Sequence, residues 1–357
     1  MKPVLICGGV GKKLWPLSRF GLPKHFLPLF GGKSLFEISY RTLRKGFKPE
    51  EIFVQTVPNQ AKIAQKIAPE IPLKNYFIEP ETRDQGPATG FTAAKLFTLG
   101  PDEPFMMIQA DVIREPEEKL LEMIKKVGLL IEKEKRLVTG GLRPEYPVMG
   151  IDYLKVKKEA MMFQGLKFYQ MDEWLGRDAE RETLEKYLAQ KLILMHTNHY
   201  AWTPRLMLEA IKRRAPDWYE SLEKIMKAFG AKNEEKIVNE EYRKMEKGPI
   251  ERVTQSELKN GYIVELPFKW VDFGTWESVA RYKIAGGEYQ PGENLVEIGG
   301  KNYFVVKAKE KMLATVGVND LIIVDTANAL LICSKDGAGK VGEIVEILKE
   351  RGKEEYI

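Results

Sequence analysis

The chain reads as an α/β fold: an open, mostly parallel sheet followed by a compact β module that ends in a helix. Three observations lead there. Up to about Leu142, short apolar runs alternate with helical patterns, as strands joined by crossover helices do. The first run, Val4-Leu5-Ile6-Cys7, passes directly into a glycine turn. Beyond a break at Gly286-Gly287 and Pro291-Gly292, five short β segments follow in quick succession before one last amphipathic pattern.

Taken in order, the expected strands of the first part are 4–7, 52–57, 76–78, 105–108 and 137–142. Between the last two, Leu120, Ile124, Val127 and Ile131 recur at helical spacing, so that helix lays one face on the sheet. The middle, roughly 143–260, is more polar and more helical, with Leu206, Met207 and Ile211 followed by Leu222, Ile225 and Phe229. Lys191 to Trp202 supplies one or two strands, and Tyr262 to Leu266 another. The C-terminal β segments are 295–298, 303–307, 312–316, 321–324 and 330–333, and Val341, Ile344, Val345 and Leu348 line one face of the closing helix. These β turns are too irregular in spacing to read as repeats. The domain boundary falls between 286 and 287, giving domains 1–286 and 287–357.

Composition bounds the function. With 357 residues and 44% hydrophobic content, the chain can bury a large core plus a smaller one. No apolar run approaches the roughly 18 residues of a membrane helix, and no cleavable signal pattern follows Met1-Lys2, so a cytoplasmic setting without a membrane partner is expected. Cys7 and Cys333, the two cysteines, sit in apolar runs and read as buried thiols. Against 51 acidic residues stand 56 basic ones, a slight excess that suits an anionic small substrate and does not argue for nucleic acid.

The glycine turn is the most informative segment. Gly8-Gly9-Val10-Gly11-Lys12-Lys13 follows a buried strand, and glycines there let backbone N–H groups close around phosphate oxygens. Lys12, Lys13, Arg19 and Lys24 add charge. A Walker loop does not fit, since Ile6 and Lys13 stand where it requires glycine and Ser or Thr. The dinucleotide fingerprint does not fit either, because Leu14 replaces its third glycine; that removes the main support for a dehydrogenase.

With Trp15-Pro16-Leu17-Ser18-Arg19 and Pro23-Lys24 added, the segment resembles the opening motif of the sugar-1-phosphate nucleotidyltransferases, within them the mannose-1-phosphate guanylyltransferases. Glu79-Pro80, Pro87-Ala88, Gln109-Ala110-Asp111, Trp270 to Trp276, Val316-Gly317-Val318 and Val324-Asp325-Thr326 extend the resemblance along most of the chain. It implies a Rossmann-like nucleotidyltransferase domain with a mixed sheet, a left-handed parallel β-helix at the C-terminus, and a homodimer. It also implies transfer of GMP from GTP to mannose-1-phosphate, with Mg²⁺ as cofactor.

By the same resemblance, Lys13, Lys24, Asp111 and Asp272 are catalytic, the two aspartates holding the metal. Gly8, Gly9, Val10, Gly11, Lys12, Lys13, Glu79, Gly86, Pro87 and Ala88 contact the nucleotide. Gly150, Asp152, Met171 and Asn198 contact the sugar phosphate. Such chemistry needs little from histidine, of which the chain has three. A phosphate monoester loses its second proton near pH ~6, so the nucleophile is already ionised.

Departures from the family gather on the sugar side. Lys13 replaces an arginine, keeping charge but losing the bidentate fork. Asp84 stands in the base-facing loop Arg83-Asp84-Gln85-Gly86-Pro87-Ala88, and Asp152 replaces the second glycine of Gly-Tyr-Gly-Tyr-Ile. Aligning Phe168 to Glu173 with the family's Glu-Lys-Pro motif leaves Met171 where a lysine grips the phosphate, with Lys167 as a substitute. His196-Thr197-Asn198-His199 lies near the place of Trp-Asn-Ser-Gly, and its two histidines could also suggest a metal. Two functions are therefore weighed. One is a Mg²⁺-dependent nucleotidyltransferase; the other is an inactive homologue that binds a nucleotide or nucleotide sugar and regulates a partner.

Overall fold

A computed structural model describes residues 1–9, 11–289, 295–300, 304–306 and 311–357. Val10 and the Pro291-Gly292 break lie outside them, as do residues 303 and 307 of one expected strand. The chain divides into two compact units, one of Met1–Gly8 with Ser39–Trp270 and one of Gly9–Ile38 with Val271–Ile357. The second therefore gathers the segment after the first strand together with the C-terminal β segments.

The first unit holds a ten-stranded mixed sheet. Its parallel part consists of Lys2–Ile6 (β1), Phe53–Thr56 (β2), Tyr76–Ile78 (β3) and Phe105–Gln109 (β4), in the order β4-β1-β2-β3. Four of the expected strands fall here. β1 sits between β2 and β4 in parallel register with both, and Val4 and Leu5 are fully buried, as a strand covered on both faces must be. Val112–Glu115 (β5) follows β4 after a two-residue turn.

Beyond β4 the sheet becomes largely antiparallel through Val138–Leu142 (β6), Tyr153–Phe163 (β7), Leu166–Leu175 (β8), Ile193–His196 (β9), Ala201–Trp202 (β10) and Tyr262–Glu265 (β11). The one parallel pair among these joins β6 and β11. The long β7–β8 hairpin is an element that the polar character of residues 143–260 concealed. Lys157, Lys158, Glu159 and Ala160 are all exposed, so the inward-outward alternation that marks a strand breaks down along β7.

Helices cover the sheet: Leu35–Arg44 (α1), Pro58–Ile67 (α2), Gln85–Leu99 (α3), Glu117–Glu134 (α4) and Arg181–Ala189 (α5). Leu120, Ile124, Val127 and Ile131 of α4 are all buried, the face that their spacing predicts. Pro204–Arg214 (α6), Pro216–Ala228 (α7), Glu234–Tyr242 (α8) and Glu251–Glu257 (α9) form a helical layer against α3. Trp218 on α7 is fully buried, with its indole N–H donating to the Glu246 carbonyl at 2.9 Å.

Lys269–Asp272 (β12) leads into the second unit, where Trp276–Ala285 (α10) begins behind a Thr275 cap. The β segments are Leu295–Ile298 (β13), Phe304–Val306 (β14), Leu313–Val316 (β15), Leu321–Asp325 (β16) and Leu330–Ser334 (β17), closed by Val341–Glu350 (α11). β13 pairs in parallel with β15, and β14 with β16. Leu295 meets Leu313 and Phe304 meets Ile322, a step of 18 residues in both pairs. That common step is the turn of a β-helix, each coil stacked on the last. Register shows the repeat where residue types do not.

Among the described residues no helix is long and apolar enough to cross a membrane. Emptying the Trp218 site tests the helical layer. Trp218→Ala is expected to cost about 3–5 kcal/mol, read as a lower urea midpoint with an unchanged slope.

Candidate functional site

In the second unit the segment after Gly9 is built around Gly11. It has φ +76°, the left-handed region, and it caps the short 3-10 turn Lys12–Leu14. A Cβ at this position would lie 2.5 Å from Cβ and Cγ of Lys24, so glycine is required by conformation and by space. Lys24 in turn reaches Asp272, its Nζ 3.6 Å from a carboxylate oxygen. Three of the predicted residues thus come together: Gly11, Lys24 and Asp272.

Asp272 is placed by the residues beside it. Phe273 is fully buried and packs with Phe30 and Tyr282 at ring distances of 4.5 and 5.2 Å. The Trp276 indole donates to the carbonyl of Trp15 at 2.8 Å, and Thr275 and Ser278 cap α10 reciprocally. The Trp270–Trp276 motif is therefore an anchored turn that leaves the Asp272 carboxylate half exposed.

The cations of the opening motif divide between roles. Lys12 forms an ion pair with Glu346 on α11, and the Trp15 indole donates to the Tyr356 carbonyl at 2.7 Å. Arg19 donates to the Asn328 side chain at 2.9 Å and to the Pro16 carbonyl at 2.6 Å. Lys13 is exposed, its stem beside Gly342. The C-terminal helix thus braces the segment that the sequence assigns to phosphate.

In the first unit, Gly8 lies two residues past β1, its carbonyl accepting from the Gln60 amide at 3.1 Å. Glu79, 2% exposed, lies 3.5 Å from where a Gly8 Cβ would stand and accepts from the Tyr242 hydroxyl. Burial pushes its carboxyl up to about 7, against the pull of that hydrogen bond. Gly86, Pro87 and Ala88 are buried in the first turn of α3, behind an Asp84 cap. A Cβ on Gly86 would lie 2.2 Å from the Trp218 ring, so this glycine serves helix packing.

Asp111 occupies the turn between β4 and β5. Arg114 holds that turn, donating to the Gln109 carbonyl at 2.9 Å and to His199 Nε2 at 3.3 Å. Acceptance at Nε2 puts the His199 proton on Nδ1, which donates to Thr197 Oγ1 at 3.0 Å. Burial brings Arg114 down to about 9, with Asp111 opposing the change. His196 pairs with Thr139 Oγ1 at 2.9 Å, and burial brings its ring down to about 3. Both histidines are therefore neutral hydrogen-bonding groups at neutral pH.

The sugar-side residues sit on separate turns and strands. Gly150 has φ +81° in an exposed turn. Met171 is 6% exposed inside β8, opposite Val156, an apolar thioether with no charge to offer a phosphate. Asn198 is left-handed at φ +54°, and its Oδ1 is buried without a partner among the described residues. Asp152 accepts from Arg177 Nε at 3.0 Å. Sequence reading missed Arg177, and also Glu251, which accepts from Tyr200 at 3.2 Å; a basic residue just past a strand end was the signal available for the first.

Glu79 titrates in a testable window. Its folded pKa exceeds the unfolded 4.5, so the folded state binds the extra proton and stability falls as pH rises between the two values. Wild type should lose about 3 kcal/mol across that window, while Glu79→Gln should not. Urea unfolding at pH 4.5 and pH 8 reads the difference; parallel pH profiles would refute it.

A model of the nucleotidyl transferase family matches residues 2–160, and one of the MannoseP isomerase/GMP-like beta-helix domain matches residues 293–348. The mannose-1-phosphate guanylyltransferase of Klebsiella pneumoniae is 26% identical, over 99% of this chain and 75% of its own length. Mannose-1-phosphate guanylyltransferase 2 of Escherichia coli O157:H7 is 24% identical, over 99% and 74%. A crystal structure from Thermus thermophilus, named a mannose-1-phosphate geranyltransferase, is 26% identical and aligns over 98% of this chain and 99% of its own, with a TM-score of 0.80. The chain thus carries a nucleotidyl transferase domain and a C-terminal β-helix domain, and along 99% of its length it is similar to mannose-1-phosphate guanylyltransferases.

Proposed function

We propose that the chain transfers GMP from GTP to mannose-1-phosphate in the cytoplasm, with residues 1–286 carrying the chemistry and 287–357 bracing the glycine loop. A phosphate oxygen of the sugar attacks the α-phosphorus; the new O–P bond forms as the bond to the bridging oxygen breaks, and pyrophosphate leaves. The sugar phosphate is ionised near neutrality, so no side chain has to remove its proton. The observation that carries this reading is the grouping of Gly11, Lys24 and Asp272, a cation and a carboxylate fixed beside a glycine whose conformation a phosphate-binding turn requires.

Mg²⁺ suits the donor set. Hard oxygen ligands from one or two carboxylates, completed by water and substrate phosphates, are what this ion takes, and Asp111 and Asp272 are the carboxylates the resemblance assigns to it. Among the described residues no group of three or more ligating side chains gathers. Bound there, the ion supplies charge neutralisation for the triphosphate. Lys24 contributes a positive charge of its own, and Arg114 and His199 hold the Asp111 turn rigid.

Purified protein with Mg²⁺, GTP and mannose-1-phosphate is expected to release pyrophosphate. Asp111→Asn should lower the rate about 10²–10³-fold, the scale of losing one electrostatic stabiliser. Release from no pairing of nucleoside triphosphate and sugar-1-phosphate would overturn the reading and favour a nucleotide-binding partner subunit.

A further inference from the structure

A transferase of this kind must meet the charge of its sugar phosphate, and Met171 cannot do so. Lys167 lies near the turn of the β7–β8 hairpin, paired across from Met162 and within electrostatic reach of Glu265. At about 3.3 Å per residue the strand separates it from Arg177, ten residues on, by roughly 30 Å. The opposite end of β8 carries a different cation. Arg177 stands just past Leu175, between β8 and α5, and its side chain is 71% exposed.

The surroundings of Arg177 are unusual for a surface arginine. Its Nε donates to Asp152, which is 18% exposed, and Glu251 and Asp84 lie within electrostatic reach. Asp152 is fixed from behind, its carbonyl accepting from the backbone N–H of His196 at 2.9 Å. The His196 ring contacts Trp174 at 4.9 Å and lies 3.8 Å from Glu251. Carboxylates, an aromatic ring and one arginine are thereby gathered at a single end of the hairpin. Among the described residues, the two terminal amino groups of Arg177 make no hydrogen bond.

We propose that Arg177 is the residue that binds the phosphate of the sugar-1-phosphate, its two terminal amino groups taking phosphate oxygens while Nε keeps its pair with Asp152. This rests on the transferase reading above and names the group that supplies its missing charge. A planar guanidinium matches two oxygens of a phosphate, where an ammonium offers only a point charge. The pair is exposed on the arginine side, 71% against 18% for Asp152, so the terminal amino groups can take a dianion while Nε keeps the carboxylate satisfied. Asp152 and Glu251 then remain beside the bound sugar as acceptors for its hydroxyls.

Steady-state kinetics with Arg177→Met and Arg177→Lys test the assignment. Arg177 is exposed, so both variants fold. Losing a charge-assisted contact should raise KM for the sugar-1-phosphate about 10- to 100-fold in Arg177→Met, with Arg177→Lys between it and wild type and KM for GTP unchanged. Calorimetric titration of mannose-1-phosphate and of mannose reads the same contact without turnover. Wild type should prefer the phosphorylated sugar, and Arg177→Met should erase that preference. Equal binding of mannose-1-phosphate by both proteins would overturn the assignment even where wild type releases pyrophosphate. Binding that depends on Arg177 in a protein that releases none would support the assignment and remove only the transferase reading.

Discussion

The stem of Lys24 fills the space that a side chain on Gly11 would need, and much of the second unit is arranged around that contact. Gly11, at φ +76°, allows that approach because it has no Cβ. Lys24 lays its methylenes on the turn while its ammonium pairs with Asp272, so one side chain packs the turn and brings it a charge. The aromatic group Phe30, Phe273 and Tyr282 fixes the neighbouring turn in the same way, burying Phe273 so that the adjacent carboxylate is held at the surface.

The β-helix has a mechanical part in this arrangement. Lys12 is tied to Glu346, Trp15 to the Tyr356 carbonyl and Arg19 to Asn328, contacts that join the opening motif to the last third of the chain. Two cations that look from sequence like phosphate ligands, Lys12 and Arg19, spend their charge on this bracing, while Lys24 pairs with Asp272.

Legibility followed local physics. The parallel strands were plain because strands buried on both faces are continuous apolar runs, and α4 because its buried face recurs at helical period. The β7–β8 hairpin was not, since exposed Lys157, Lys158, Glu159 and Ala160 interrupt the alternation that defines a strand. The β-helix step of 18 residues shows only in strand register; exposed apolar residues such as Ile298 and Val316 blur any pattern of inside and outside. Of the candidate site, Gly11, Lys24 and Asp272 were legible because each falls in a contiguous motif. Gly86 was legible as a glycine, yet what requires it is the ring of Trp218, far away in sequence.

The same limit explains the sugar side. Reading the phosphate lysine onto Met171 places it inside β8, which runs on to Leu175. A side chain just past the strand end is the one that ligands of an open α/β sheet meet. Asp111 follows the parallel strand β4 in this way; Arg177 follows β8, which is antiparallel to both of its neighbours, and is placed instead by its pair with Asp152. Arg177 supplies the cation that Met171 lacks, and Asp152, which replaces a glycine of the family motif, is the partner that orients it.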